Sequence, residues 1–365
     1  MRDVLLVLND GSSSLKFQIF ARDTLDVLLA GKVTGIGTSA ELASKVGDVA
    51  SKAPLSANDH DAALEAVLGL IDRHDDDWKI VAVVHRVVHG GERFAQPVVV
   101  TPEILQALER LNPLAPLHQP YNIAGIRASH RLAGNAPDIA CFDTAFHARR
   151  AELFETFAIE KPLRDKGIRR YGFHGLSYHW IAHLLERDYP DLADGRVVAA
   201  HLGNGASLCA IRGGRSVDTT MGMTALDGIP MGTRCGALDP GAVTFMMREL
   251  GMDVTAIEES LYERSGLKGL SGLTNDVADL LESDDPRAAF ALDYFVLKVA
   301  QYAAMMATSL GGVDAVAFTG GIGENAVSVR EAVVARLAFL GPFRTLVIPA
   351  NEERIMAIEA LALLG

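Results

Sequence analysis

Cysteine is scarce in this chain: its 365 residues include three, Cys141, Cys209 and Cys235. They are odd in number and show no CxxC spacing, so the sequence does not predict a disulfide framework and is typical of a reducing compartment. No apolar stretch is long enough to span a bilayer. The N-terminal apolar run is short and ends in a polar loop, which does not match a secretory signal. We therefore expect a soluble, cytoplasmic protein.

Basic residues are also fewer than acidic ones. The chain has 34 Lys and Arg against 46 Asp and Glu, a formal net charge of −12. This balance argues against a general nucleic-acid-binding or anionic-membrane surface, although a local basic site can exist within an acidic protein. Because 49% of the residues are hydrophobic, the chain can bury a large core, and its length predicts two domains of ordinary size.

Two kinds of segment alternate along the sequence. Short apolar, β-branched runs predict buried strands, and longer amphipathic stretches predict helices. Thr101-Pro102 is typical of a helix N-cap followed by proline at the first helical position. The mixture indicates an α/β protein. The predicted strands are 3–8, 80–84, 197–202 and 313–318, and the predicted helices are 60–74, 103–111, 286–310 and 352–364.

One pattern occurs twice. VLLVLNDGSSSLKFQIF (residues 4–20) and VVAAHLGNGASLCAIRGG (residues 197–214) both consist of an apolar run, a short Gly/Asn/Ser turn and a second run. Turns this short favour antiparallel hairpins. Either hairpin alone is most simply a structural element. Together they predict two halves of similar construction, with a boundary near residue 150.

Three glycine-rich turns have the composition of phosphate-binding loops, which need exposed backbone N–H groups, small side chains and positive charge. The turn 11–16 supplies all three, with Lys16 as the cation, and the turn 201–207 supplies amides without a cation. FTGGIGENA (residues 318–326) follows a predicted strand and precedes a helical segment. None is a Walker A motif or a complete dinucleotide fingerprint. The three turns together indicate a phosphate-rich ligand held between lobes.

Several charged residues lie in apolar or constrained surroundings. Each has a structural interpretation: a salt bridge, a buried histidine, a helix N-cap or a solvated arginine. Taken together they favour one chemistry, because arginines bind carboxylate or phosphate by bidentate forks. Histidine and arginine also stabilise a transferring phosphoryl group, and carboxylates orient a nucleophile or Mg2+. These residues are Arg86, His118, Asp143, His174, Arg234 and Asp239.

The sequence resembles the acetate kinase (acetokinase) family, whose close relatives include propionate kinases. The resemblance covers nearly the whole chain through ordered blocks: NDGSSSLKF, HRVVHGGE, PLAPLHQP, FDTAFH, RRYGFHGLSY, HLGNGASL, DTTMGMTALDGIPMGTRCGALDPG, FTGGIGENA and IPANEE. It implies two duplicated ribonuclease H-like α/β lobes of the acetate and sugar kinase, heat-shock chaperone and actin superfamily, with an interlobe cleft. The expected lobes are 1–148 with 353–365, and 149–352, the second binding nucleotide and forming a homodimer.

The resemblance implies reversible, Mg2+-dependent phosphoryl transfer from ATP to acetate, giving acetyl phosphate and ADP. By motif position, Arg86 holds the substrate carboxylate, while His174 and Arg234 stabilise the transferring group. Asp143 is the family's active-site carboxylate. Because acetate is already deprotonated at neutral pH, we expect Asp143 to have an orienting, Mg2+-linked role rather than to abstract a proton.

The resemblance also implies the remaining binding residues. The metal ion, Mg2+ or Mn2+, is assigned to Asn9 and Glu352. The acyl side is assigned to Arg86, Val88, Leu117, His118 and Phe173. The nucleotide and its phosphates are assigned to Ser12, Ser14, Lys16, His201, Leu202, Gly203, Asn204, Gly205, Asp276, Val277, Ala278, Gly321, Ile322, Gly323, Glu324 and Asn325.

Three places depart from the family pattern. Asp10 stands where a small residue is common; a carboxylate near the phosphates is unexpected, and the alternative is that its side chain points away from the cleft. Asp276-Val277-Ala278 replaces an Asp-Phe-Arg triplet of the adenine pocket, which leaves the choice among ATP, GTP and other donors open. Ala225 replaces a proline of the acyl pocket. Because an apolar pocket discriminates one methylene by only about 1–3 kcal/mol, propionate is expected as a substrate alongside acetate.

Two alternatives stay open. One is a propionate or other short-chain acyl kinase. The other is a nucleotide-binding regulator or chaperone-like ATPase on the same fold, which would need no carboxylate pocket; Arg86 and Arg234 argue against it. A sugar kinase is disfavoured because it needs a base for a hydroxyl acceptor. We expect a small carboxylate and a nucleotide as ligands, and neither nucleic acid nor membrane as a partner.

Overall fold

The structure, a computed structural model, describes residues 1–11, 13–73, 77–134 and 136–365. Ser12, one of the expected phosphate-binding residues, lies outside the described residues. The chain divides into two compact units, Met1–Ala148 with Asn351–Gly365 (unit 1) and Arg149–Ala350 (unit 2).

Unit 1 is built on an eight-stranded sheet with the strand order β5-β4-β3-β2-β1-β6-β8-β7. Strands β1 to β5 form an antiparallel meander, whereas β1, β6 and β8 run parallel. The strands are β1 (Arg2–Asp10), β2 (Ser14–Ala21), β3 (Val27–Thr34), β4 (Glu41–Val46), β5 (Val49–Pro54), β6 (Trp78–Val87), β7 (Val98–Val99) and β8 (Asp138–Phe142). The helices are α1 (His60–Asp72), α2 (Pro102–Glu109), α3 (Gln119–Leu132) and the last helix of the chain, α14 (Glu352–Leu364).

Helices pack on unit 1's sheet, and strand alternation divides its residues between two faces. Val4, Leu6 and Leu8 of β1 pack in one cluster with Leu64 and Val67 of α1. Helix α14 packs on β1, β6 and β8. The parallel strands are therefore buried on both faces, which explains why their sequences are nearly continuous apolar runs.

Unit 2 contains a five-stranded sheet with the order β11-β10-β9-β12-β13. The 25-residue helix α11 packs on β9, β10 and β11, and α6 packs on β9 and β11. The strands are β9 (Arg196–Leu202), β10 (Ala206–Arg212), β11 (Arg215–Thr219), β12 (Ala315–Thr319) and β13 (Arg344–Val347). The helices are α4 (Glu152–Glu155), α5 (Lys161–Arg164), α6 (Gly175–Asp188), α7 (Pro240–Glu249), α8 (Val254–Glu263), α9 (Gly266–Ser271), α10 (Val277–Glu282), α11 (Pro286–Leu310), α12 (Gly320–Asn325) and α13 (Val327–Arg336).

The two sheets share one pattern of strand directions. In each, a central strand pairs antiparallel with the next strand, which pairs antiparallel with a third, while two parallel strands follow on the other side. The order β3-β2-β1-β6-β8 in unit 1 corresponds to β11-β10-β9-β12-β13 in unit 2. The prediction of two similarly built α/β halves, based on the repeated hairpin, is confirmed.

Most predicted elements are confirmed. The helices 286–310 and 352–364 have the predicted bounds, and Oγ1 of Thr101 accepts a hydrogen bond from the Ile104 amide as the N-cap of α2. The predicted strand at 313–318 begins two residues later, at Ala315. Position 74 of the predicted helix 60–74 lies outside the described residues.

Among the described residues, no helix combines the length and apolarity needed to cross a membrane.

The end of β1 makes a close contact with α3. Asp10 is buried, and a Cβ on Gly125 of α3 would overlap its carboxylate. The backbone oxygen of Asp10 accepts a hydrogen bond from Asn122 Nδ2 at 3.1 Å. Asp10 therefore faces α3, on the side of the sheet opposite its chain neighbour Asn9.

We predict that Gly125→Ala destabilises the protein by about 1–3 kcal/mol, because the added methyl group overlaps the Asp10 carboxylate. Thermal and urea unfolding measure the effect. In an Asp10→Ala background, the same substitution should lose most of its cost. Gly69→Ala on α1, where a Cβ meets open space, is the control and should stabilise the helix by up to about 1 kcal/mol. Equal costs for Gly125→Ala in both backgrounds would contradict the contact.

Candidate active site

Polar side chains gather at one edge of the sheet in unit 1. Asn9 lies near the end of β1, Arg86 near the end of β6, and Asp143 directly after β8. These three strands run parallel, so their carboxyl ends meet at the same edge, the usual place for ligands in α/β sheets. Strand register and alternation put all three side chains on the face that α14 covers.

Arg86 is the centre of this group. Its Nε lies 3.0 Å from Asp143 Oδ1, its Nη2 lies 2.6 Å from Asp143 Oδ2, and its Nη1 donates to Asn9 Oδ1 at 3.1 Å. The Asp143 side chain is 2% exposed and that of Arg86 is 22% exposed. Burial alone lowers the pKa of Arg86, but the carboxylates of Asp143 and Glu352 outweigh burial and raise it. Arg86 therefore carries a fixed positive charge in a defined orientation.

Lys16 lies at the same edge; we call Asn9, Lys16, Arg86 and Asp143 the polar edge of unit 1. It lies directly opposite Asn9 in the β1–β2 hairpin, and its Nζ is 2.7 Å from Oε1 of Glu353. The Glu353 side chain is almost fully buried, whereas that of Lys16 is about half exposed. Glu352 and Glu353 occupy the first turn of α14, behind an Asn351 N-cap. Sequence reasoning selected Glu352 and missed Glu353, although the IPANEE block contains both.

Two buried carboxamides fix the loops beside this edge. Asn122 Oδ1 accepts a hydrogen bond from the Val88 amide at 3.0 Å, and Asn122 Nδ2 donates to the Asp10 backbone oxygen. Gln119 Oε1 accepts from the His89 amide at 3.1 Å. Sequence reasoning missed both Asn122 and Gln119, because an amide in a helix has no local signal for such a role.

The residues expected on the acyl side differ in their surroundings. Val88 in unit 1 and Phe173 in unit 2 are buried. Leu117 is exposed, and His118 is half-buried at the N-cap position of α3. Ser14 begins β2, and its backbone oxygen accepts a hydrogen bond from the Gly11 amide at 2.8 Å.

A second polar group lies in unit 2. His174 precedes α6 with φ 56°, a left-handed conformation that is strained for a residue with a Cβ. Its Nδ1 lies 2.8 Å from Ser207 Oγ, and Tyr178 Oη lies 2.6 Å from the same oxygen. The ring of His174 stacks on that of His201, with centroids 4.4 Å apart. These contacts hold the imidazole in one orientation.

Arg234 approaches the same region. Its Nη1 donates to the Ala225 backbone oxygen at 3.1 Å. A Cβ on Gly205 would lie 3.3 Å from His174 Nε2 and 3.8 Å from Arg234 Nη1, so both groups converge on this glycine. Any larger residue at 205 would fill the space in front of them. The structure thus brings together His174, His201, Gly205 and Arg234 in unit 2.

A cavity of about 390 Å³ opens beside this group, also in unit 2. It is formed by the β9–β10 turn, the start of α10, and α12. Its walls combine carboxamides and the carboxylate of Asp276 with aliphatic side chains, and none of the residues that line it is aromatic or cationic. A slot of this composition suits the base and ribose of a nucleotide. The lining residues are Gly203, Asn204, Asn275, Asp276, Val277, Ala278, Leu281, Gly321, Ile322, Asn325 and Ala326.

Eight residues expected to bind nucleotide line this cavity; Asn275, Leu281 and Ala326 are additional. Asp276 is also the N-cap of α10, with Oδ1 accepting from the Ala278 amide at 2.7 Å. Leu202 and Gly323, also expected to bind nucleotide, are buried and do not line the cavity. Oε1 of Glu324 instead accepts hydrogen bonds from the Gly320 and Ala350 amides, a structural role.

Comparisons with known proteins identify the family of this chain. The model of the acetokinase family matches residues 4–355. The chain belongs to the acetokinase family. It is 46% identical to an acetate kinase of Rhodopseudomonas palustris, over 93% of this chain and 88% of that protein.

Two solved structures of the acetokinase family are also similar. The acetate kinase of Porphyromonas gingivalis is 33% identical, with a TM-score of 0.89 over the full length of both chains. A propionate kinase of Francisella tularensis is 34% identical, with a TM-score of 0.93 over 98% of each chain. The predicted fold class, family and enzyme class are confirmed.

Asn9, Glu352 and Glu353 supply side-chain oxygens at the polar edge of unit 1. Arg86 is within electrostatic influence of Asp143, Glu352 and Glu353, and Lys16 pairs with Glu353. Three carboxylates thus face two cations. Among the described residues there is no group of three or more His, Cys, Asp or Glu arranged to hold a metal alone. Mg2+ commonly takes one or two protein oxygens and completes its shell with substrate phosphates and water, so the oxygen ligands here fit it.

Asp10 gives a pH-dependent prediction. Burial raises the pKa of this carboxyl from 3.8 to about 6, although charges on His85 and His60 oppose the rise. At pH values between 3.8 and about 6, the Asp10 carboxyl binds more protons in the native state than in the unfolded state. The free energy of unfolding therefore falls as the pH rises through this range. The loss is on the order of 3 kcal/mol, about two pKa units at 1.4 kcal/mol each.

We therefore expect Asp10→Ala to be more stable than the wild type at pH 8, and the advantage to shrink or reverse near pH 4. Urea unfolding from pH 4 to 8 measures the difference. Glu65→Ala, which removes an exposed carboxylate from α1 of the same unit, is the control and should show no such trend. An Asp10→Ala advantage that grows as the pH falls would refute the assigned sign.

Proposed function

We propose that this protein is an acetate kinase that catalyses ATP + acetate ⇌ ADP + acetyl phosphate with Mg2+. The observation that carries the proposal is Arg86, which Asp143 and Asn9 hold in place at the carboxyl edge of the sheet in unit 1. Of the five N–H groups of an arginine, these contacts use three. One N–H on each Nη is left for a substrate carboxylate or phosphoryl oxygen.

The reaction follows from charge neutralisation and alignment. A carboxylate oxygen of acetate attacks the γ-phosphorus, the bond from that phosphorus to the β–γ bridging oxygen breaks, and ADP leaves. No proton must be removed from acetate, so Asp143 is needed to orient Arg86 and is not a base. Since two anions must meet, cationic groups that are already in place lower the barrier.

The residues of unit 2 are assigned to the phosphoryl group and the nucleotide. His174 and Arg234 converge on Gly205, so their N–H groups can contact the transferring oxygens. The cavity next to them would take the nucleoside, with the amides of the β9–β10 turn and of α12 facing the phosphates. Asn9, Glu352 and the donor phosphates would hold Mg2+, which supplies neutralisation of the β- and γ-phosphate charge.

Propionate kinase is the second candidate. The similarity to the Francisella tularensis propionate kinase and the small Ala225 both favour a longer acyl chain as an additional substrate. A comparison of kcat/KM for acetate, propionate and butyrate, each with ATP and with GTP, distinguishes the candidates. A higher kcat/KM for propionate than for acetate would assign the protein to the second candidate.

We predict that Arg234→Ala keeps the fold but lowers kcat about 10²–10³-fold, the usual loss when one donor to a developing negative charge is removed. Acetyl phosphate formation is measured by trapping with hydroxylamine as the hydroxamate. Arg264→Ala, which removes an exposed arginine of the same unit, is the control. Near-normal turnover of Arg234→Ala would refute its role, and no hydroxamate from the wild type would favour a nucleotide-binding regulator.

We further propose a homodimer formed through unit 2. No residue of α7 is buried, although the helix includes Phe245 and Met247. Phe245, Leu250 and Val254 are 56%, 61% and 61% exposed. Exposed apolar side chains this close in sequence, from Phe245 to Val254, are typical of a surface that a partner covers, and a second copy of the chain is the partner that the resemblance implies.

Phe245→Asp is expected to shift the protein to a monomer, because it places a charge within this apolar surface. Sedimentation velocity measures the molecular mass. Phe339→Asp, an identical change at another exposed phenylalanine of unit 2, should leave the dimer intact. A wild-type protein that sediments as a monomer at micromolar concentration would exclude the dimer.

A further inference from the structure

Four lysines share one face of the antiparallel meander in unit 1. In the sheet register, Lys16 of β2 lies opposite Lys32 of β3, Lys32 lies opposite Ala43, and Ala43 lies opposite Lys52 of β5. In the next row, Lys45 of β4 lies between Ala30 and Ala50. We call Lys16, Lys32, Lys45 and Lys52 the lysine face.

The lysine face lines an open concavity of about 590 Å³. The other residues around it are small: Ala30, Gly31, Ala43, Ser44, Ala50 and Ser51. None of the lining residues is acidic or aromatic. The helices of unit 1 pack mainly on β1, β2, β6 and β8, so the outer strands of the meander are left accessible.

The charges on this face are only partly compensated. Lys52 pairs with Glu41 at 2.9 Å, Lys45 with Asp48 at 3.7 Å, and Lys16 with Glu353. Lys32 has no ion-pair partner within the described part of the chain. Like charges directly opposite each other across two strands, such as Lys16 and Lys32, are unfavourable. An anion bound over the rows would offset that repulsion.

We propose that the lysine face is a binding site for a small linear oligophosphate, of the class of inorganic tripolyphosphate. The strands β2 to β5 span three spacings of about 4.8 Å, so the backbone positions of Lys16, Lys32 and Lys52 are spread over roughly 14 Å. A short chain of phosphates does not need to span the whole row, because the flexible lysine side chains can converge on it and lysine contacts phosphate as a point charge without a fixed direction.

Two other polyanions fit less well. Single-stranded nucleic acid is commonly held by bases stacked on aromatic side chains, and the residues lining this concavity include no aromatic ring. A membrane surface would call for apolar side chains beside the lysines, and the largest aliphatic residue there is alanine. A short phosphate chain needs only the charges.

The site also has a consequence for turnover, which rests on the proposed function. Lys16 belongs both to the lysine face and to the polar edge with Asn9 and Arg86. An oligophosphate on the face competes with Glu353 for the Lys16 ammonium. Bound oligophosphate therefore lowers the rate of phosphoryl transfer without occupying the nucleotide cavity.

The test is calorimetric titration of the full-length protein with sodium tripolyphosphate at constant ionic strength, with ADP at saturation. The variant is Lys32→Ala/Lys45→Ala/Lys52→Ala, which leaves Lys16 in place. We expect it to bind tripolyphosphate about tenfold more weakly than the wild type, as the loss of three exposed charge contacts implies. The control, Lys79→Ala/Lys166→Ala/Lys268→Ala, removes the same charge from exposed positions elsewhere and should bind normally.

Equal affinities of the wild type and the triple variant would overturn the proposal, as would absence of binding by the wild type. Tighter binding of a single-stranded oligonucleotide or of phosphatidylserine vesicles than of tripolyphosphate would also overturn it. Because binding is measured without turnover, these results are separate from any failure of acetate kinase activity. In the kinase assay, inhibition by tripolyphosphate at saturating ATP should be about tenfold weaker in the triple variant.

Discussion

The buried ion pair between Arg86 and Asp143 is the interaction on which the polar edge of unit 1 depends. A carboxylate as buried as Asp143 requires a paired charge, since an isolated ion in such surroundings is strongly unfavourable. Asp143 in turn fixes the plane of the guanidinium, and Asn9 fixes its remaining side. The substrate then meets N–H groups that need no rearrangement, which is how fixed dipoles and charges lower a barrier.

The two units share one strand pattern, but the equivalent hairpins carry different residues. In unit 1 the hairpin β1–β2 carries Asn9 and Lys16, and the meander continues outward into β4 and β5. In unit 2 the hairpin β9–β10 carries Gly203 and Asn204 at its turn, and the cation near it, Arg234, comes from a long loop. The shared sheet sets where strands end, and the loops decide which chemistry stands there.

Local patterns predicted the elements that have strong local signals. Strands buried on both faces show as apolar runs, and helices such as 286–310 show clear periodicity and caps. The meander strands β3 to β5 were not predicted, because one of their faces is polar and their stability comes from pairing with neighbours. The exposure of Leu117 was likewise not predictable, because it depends on packing around α3.

The sequence by itself determined the α/β class, the two similar halves, the acidic balance and the residue types of a phosphoryl-transfer site. Only the tertiary structure decided which groups meet: Arg86 with Asp143 across 57 positions, Asn9 across 77, and Lys16 with Glu353 rather than Glu352. It also decided that four dispersed lysines form one face. The physical reason is that such contacts depend on strand register and on helix packing, which residues far apart in the chain set together.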